Sequence, residues 1–126
     1  MKLTGSKMEE DFREELIKSH QHHFASKPCS KIKEVLEQNG HPTSRAYILH
    51  WTPDQDGDFI TVLINGEYVV TTEIDHNDFS VTSSVDRYEL KDYLKGLSRM
   101  NQVRLLVAKD LSNNSNEKEK GPRLDT

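Results

Sequence analysis

A chain of 126 residues is of single-domain size and long enough to bury a core without disulfides or metal. Its 33% hydrophobic content, net charge of −4 and lone cysteine, Cys29, exclude a disulfide scaffold or a collagen-like repeat, and no apolar run approaches a membrane span. Residues 54–92 hold ten acids against only Arg87 and Lys91, which argues against a nucleic-acid partner, since a phosphate backbone demands Lys and Arg.

The opening MKLTGSKMEED lacks the apolar stretch of a signal peptide, so the expected setting is soluble and cytoplasmic. From Lys7 to Phe24 the apolar residues Met8, Phe12, Leu16 and Phe24 recur at helical spacing, with His20 at the missing step. Glu9, Glu10, Arg13, Glu14 and Lys18 form the solvated side. A second helix is expected after Ser26 as N-cap, with Pro28 in its first turn and Cys29, Ile32, Val35 and Leu36 as its buried stripe. Gly40 ends it, with Pro42 shortly after. The two helices are expected to form an αα-hairpin or to lie at an angle on one sheet face.

Arg45 to Thr52 reads as a strand with Tyr47, Leu49 and Trp51 on one face and Ala46, Ile48 and His50 on the other. The turn residues Pro53 to Gly57 lead into the stretch that organises the chain, Asp58 to Ile74, where two β-branched runs flank Asn65-Gly66. A two-residue type I′ turn there sets Ile64 opposite Glu67, Leu63 opposite Tyr68 and Val62 opposite Val69. That register leaves apolar residues on both faces: Phe59, Leu63, Tyr68 and Val70 on one, Ile60, Val62, Ile64 and Val69 on the other. Either helices cover both faces, or Ile60, Val62 and Val69 meet a second copy of the chain.

Beyond Ile74, residues Phe79 to Thr82 are a candidate fourth strand. Asp86 then reads as the N-cap of a third helix, with Glu89 completing a capping box and Leu90, Tyr93, Leu94 and Leu97 as its stripe. Val103 to Ala108, VRLLVA, apolar apart from Arg104, reads as a last strand. The expected fold is therefore α+β, in the order α-α-β-β-β-(β)-α-β, an antiparallel meander with helices packed mainly on one face. Residues 1–111 form the domain, and 112–126, with one aliphatic residue, form a disordered polar tail.

The loop Asp54-Gln55-Asp56-Gly57-Asp58 departs from the calcium-loop pattern in the place of its glycine and its twelfth residue, and reads as a hairpin turn. His20, His22 and His23 lack paired zinc spacing, so no metal or other cofactor is expected. Cys29 at a helix start, with a histidine as base, is the one arrangement that points to an enzyme; core packing is the simpler reading. A meander brings the loop 53–57 and the segment 75–78 to the end opposite Asn65-Gly66, so Asp54, Asp56, Asp58, Asp75 and Asp78 are expected to converge there. The leading expectation is a non-enzymatic protein-binding module, of inhibitor or immunity type, whose partner carries a basic surface. A homodimer or chaperone-like protein using the sheet face, and a small Cys29 enzyme, are the alternatives.

Overall fold

Asn65 and Gly66 both take left-handed backbone, with φ of 56° and 71°, and the Glu67 N–H donates to the Ile64 carbonyl at 2.9 Å. In the computed structural model, which describes residues 3–25, 31–53, 56–75 and 85–119, this turn is the tip of a four-stranded antiparallel meander. The strands are β1 (Ala46–Pro53), β2 (Gly57–Ile64), β3 (Tyr68–Asp75) and β4 (Val85–Glu89), ordered β1-β2-β3-β4 across the sheet. The helices are α1 (Lys7–His20), extended by a π-helical turn (Gln21–Ala25), α2 (Lys31–Gln38), α3 (Leu90–Leu94) and α4 (Arg99–Glu119). The fold is α+β.

The turn forms as the sequence predicts, but the ladder below it does not. Glu67 is an extra residue on the β3 side, so Ile64 pairs with Tyr68, Leu63 with Val69 and Val62 with Val70. This one-residue shift moves every β3 side chain to the opposite face. The run Tyr68-Val69-Val70 is apolar throughout, so hydrophobic pattern could not choose between the registers.

Two cores follow, one on each side of the sheet. On one side Leu63 and Val69 pack with Tyr47 and Leu49 against Phe12 and Leu16 of α1 and Leu105, Ala108 and Leu111 of α4. On the other, Ile60, Val62, Ile64 and Val70 pack with Ile48 against Phe24, Ile32 and Leu36. Full burial of each such side chain contributes about 1.5–3 kcal/mol. Helices therefore cover both faces. Ile60, Val62 and Val69, the expected dimer face, are each 0% exposed within one chain, and they do not even share a face.

The chain changes sides around the edge of β1, so α1 and α2 are not a hairpin on one face. His20 stacks on Tyr47 at 4.9 Å and donates Nδ1–H to the Ala46 carbonyl at 2.6 Å, while Phe24 packs into the second core. The wider π-helical turn between them wraps the edge strand, which otherwise presents unpaired backbone. Within α1, Met8 is 47% exposed and Glu9 is buried in its place. The Glu9 carboxylate accepts the Thr4 and Gly5 N–H groups, each at 2.8 Å, and the Thr4 N–H above all holds its pKa below the usual range.

Three other expectations give way. Asp86 starts no helix: Val85–Glu89 is β4, paired with β3 from Thr72↔Val85 to Tyr68↔Glu89. The open edge of β3 recruits this segment against its capping signal, and the expected stripe, Leu90, Tyr93, Leu94 and Leu97, still packs on the first core from α3 onward. Val103–Ala108 is the heart of α4, not a strand. Ser98 caps that helix, accepting the Asn101 N–H on Oγ at 3.2 Å, and the buried positions Leu105, Ala108 and Leu111 continue at helical spacing beyond the apolar run. The helix also passes Leu111: Ser112 is 0% exposed and donates its hydroxyl to the Ala108 carbonyl at 2.9 Å. Phe79 to Thr82, Ser26, Pro28 and Cys29 lie outside the described residues.

Candidate functional site

The helical cover of the first face stops at Thr61. That residue is buried, and the Tyr93 hydroxyl hydrogen-bonds to its side chain; burial raises the Tyr93 pKa and this hydrogen bond lowers it. One row further out, Thr52, Phe59 and Glu73 lie side by side across β1, β2 and β3, all exposed, and Phe59 is 52% exposed. Side chains alternate along each strand, so Phe59 shares its face with Glu73 and Asp75 of β3. The row through Thr61 and Thr71 ends on this same face at exposed Asp86. Among the described residues, an aromatic side chain is thus set on one face with three carboxylates, at a sheet end that no described helix covers.

The sequence-predicted acids fall around this patch unequally. Gly57 pairs with Asp75, so Asp56, at the tip of β2, stands beside the end of β3 as expected. Asp58 pairs with Ile74 and lies on the opposite face, half-buried. Asp54 and Asp78 lie outside the described residues. Glu73, Asp86 and Phe59 were missed because their common face depends on the β3 register and on β4, which the sequence reading had as a helix.

The histidines are packed rather than gathered. His23 stacks on Trp51 at 4.6 Å and meets His22 edge-on at 4.6 Å; burial, then the neighbouring His22, pushes its pKa down. His41 Nδ1 lies 2.9 Å from the Tyr68 hydroxyl, whose ring carries the Arg87 guanidinium at 3.8 Å. Burial, then Arg87, lowers the His41 pKa. Among the described residues no three His, Cys, Asp or Glu side chains converge as a metal site. Cys29 and His76 lie outside the described residues. A concavity between α1 and the edge of β1 joins His50 to Arg104, a pairing invisible in the sequence.

No helix among the described residues is long and apolar enough to cross a membrane. No protein-family model, curated protein or solved structure matches the chain.

Proposed function

We propose that this chain is a non-catalytic protein-binding module that takes a basic protein surface on the open sheet end around Phe59. The observation that supports this reading is the row Thr52–Phe59–Glu73, which leaves a large aromatic uncovered on the face it shares with Asp75 and Asp86. Aromatic anchors surrounded by a polar rim carry most of the energy at protein interfaces. Carboxylates around such an anchor steer a cationic partner into encounter and reject anionic ones. The balance of ten acids to two bases over residues 54–92 extends that field beyond the patch, and Asp54, Asp58 and Asp78 belong to it by sequence. An inhibitor or immunity-type protein neutralising a basic enzyme is the narrower form of this proposal.

A photo-crosslinking residue at position 59 tests the reading. It should capture a basic protein from cells, in a yield that falls sharply when Glu73→Gln, Asp75→Asn and Asp86→Asn are combined. The same residue at exposed Met100, on α4, should not capture that protein. Equal capture from both positions, or capture indifferent to the three acids, contradicts the proposal.

A further inference from the structure

A groove of about 360 Å³ runs between the C-terminal half of α1 and the end of β1, a volume within the roughly 300–1,000 Å³ of small-molecule sites. It gathers Glu15, Lys18 and Ser19 from α1, His50 and Trp51 from β1, and Arg104 from α4. Its lining thus carries two fixed cations to one carboxylate. The bulge between Ile48 and His50 turns His50 onto the first face, opposite Thr61, and so into the neighbourhood of Arg104.

Arg104 is held but incompletely used. Its guanidinium lies over the Phe12 ring at 4.4 Å, and one terminal nitrogen stands 3.6 Å from Glu15 Oε2. That separation exceeds the roughly 2.7–2.9 Å of a charge-assisted hydrogen bond, and the Glu15 side chain is 62% exposed. Arg104 Nε is buried and has no hydrogen-bond partner among the described residues. The terminal nitrogens of a guanidinium form a fork that matches two oxygens of a carboxylate or phosphate, and the Arg104 side chain is 24% exposed to offer it. His50, its pKa lowered by burial and then by Arg104, lines the same groove, and an imidazole carries an N–H in either protonation state.

From this constellation we infer that the groove binds a small organic oxyanion, a carboxylate or phosphate ester whose oxygens take the Arg104 fork and the Lys18 ammonium while its apolar body lies against Trp51. Addition of a peptide strand to the β1 edge is disfavoured, because the bulge and Pro53 break the regular backbone such pairing needs. The site is separate from the Phe59 patch and does not depend on it.

Trp51 is the chain's one tryptophan, so its fluorescence reports on the groove directly. Titration of the whole chain with phenyl phosphate, benzoate and uncharged benzyl alcohol should give a saturable change for at least one anion at about millimolar concentration, and none for the alcohol. The anion that binds more tightly decides between phosphate and carboxylate. Arg104→Gln should weaken binding about tenfold or more, with its fold checked by circular dichroism. Lys18→Gln, at an exposed position, should weaken it about threefold, and Glu15→Gln should strengthen it by removing a competing carboxylate. Should Arg104→Gln fail to fold, the opposed effects of Lys18→Gln and Glu15→Gln carry the test. No saturable response to either anion, an equal response to benzyl alcohol, or indifference to both of those variants overturns the inference.

Discussion

Phe59 faces Glu73 across the central hairpin, one row beyond the last residue that the helices cover. Leu63 lies four residues along the same strand and on the same face, yet it is 0% exposed. The two positions should therefore answer truncation very differently. Phe59→Ala should move the denaturant midpoint by no more than about 0.5 kcal/mol in stability. Leu63→Ala should cost about 2–5 kcal/mol, because it opens a cavity beneath α1 and α4. A large loss from Phe59→Ala would mean that this ring supports the core and is not free to anchor a partner.

Gly57 sits opposite Asp75 where backbone meets backbone. A Cβ on it would fall 2.5 Å from the Ile74 carbonyl oxygen, which no rotamer change can relieve. Gly57→Ala should cost about 1–3 kcal/mol and prise β2 from β3 at the acidic end. Hydrogen exchange should show faster opening of the Asp58 and Ile74 amides while the amides of Leu63 and Val69 stay protected. Unchanged exchange at Asp58 would show that the strands do not approach this closely.

Val62 tests the two-sided core. It is 0% exposed against the layer of Ile32 and Leu36, so Val62→Lys buries an unpaired charge. The variant should fail to fold. A folded variant whose only defect is loss of a dimer would restore the sheet face as an interface.

Much of this architecture is legible in residue patterns: Phe12 and Leu16 of the α1 stripe, the end of α2 at Gly40, the first three strands and the turn at Asn65-Gly66. The errors share a cause, which is that local signals leave a choice that distant partners decide. Asp86 and Glu89 look like a capping box, but the β3 edge offers hydrogen bonds to the whole segment. Val103 to Ala108 is too short a run to separate helix from strand by composition, and only Leu111 and Ser112, beyond it, show the helical period. The candidate site suffered most. The face shared by Phe59, Glu73 and Asp86 depends on a single bulged residue, Glu67, and on β4, neither of which announces itself locally.

Acid should weaken the fold in two steps. Burial pushes the imidazole pKa of His23, His41 and His50 below the ordinary 6.5, helped by His22, Arg87 and Arg104 respectively. Between the folded and ordinary values the unfolded chain binds more protons, so stability rises with pH across that window. It is fully present above about pH 6.5 and lost as pH falls through the folded-state values. Glu9, with its pKa held below the ordinary 4.5, adds a second loss only at lower pH. His41→Gln removes one of the three imidazoles, and it should flatten the dependence of the denaturant midpoint on pH between about 5 and 7. An unaltered slope would show that His41 titrates alike in both states.

The central claim, that the acidic sheet end around Phe59 receives a basic partner, is tested most directly by association kinetics. With the protein captured through position 59, stopped-flow rates should be measured across ionic strength for the wild type and for Glu73→Gln, Asp75→Asn, Asp86→Asn combined. Rim charges act on the rate of encounter and are screened over about 8 Å at physiological salt. The account predicts a wild-type rate that falls steeply with salt and a triple variant that associates more slowly with a flattened dependence. Phe59→Ala should leave the association rate nearly unchanged and speed dissociation. An association rate that ignores both salt and the three substitutions would contradict the account.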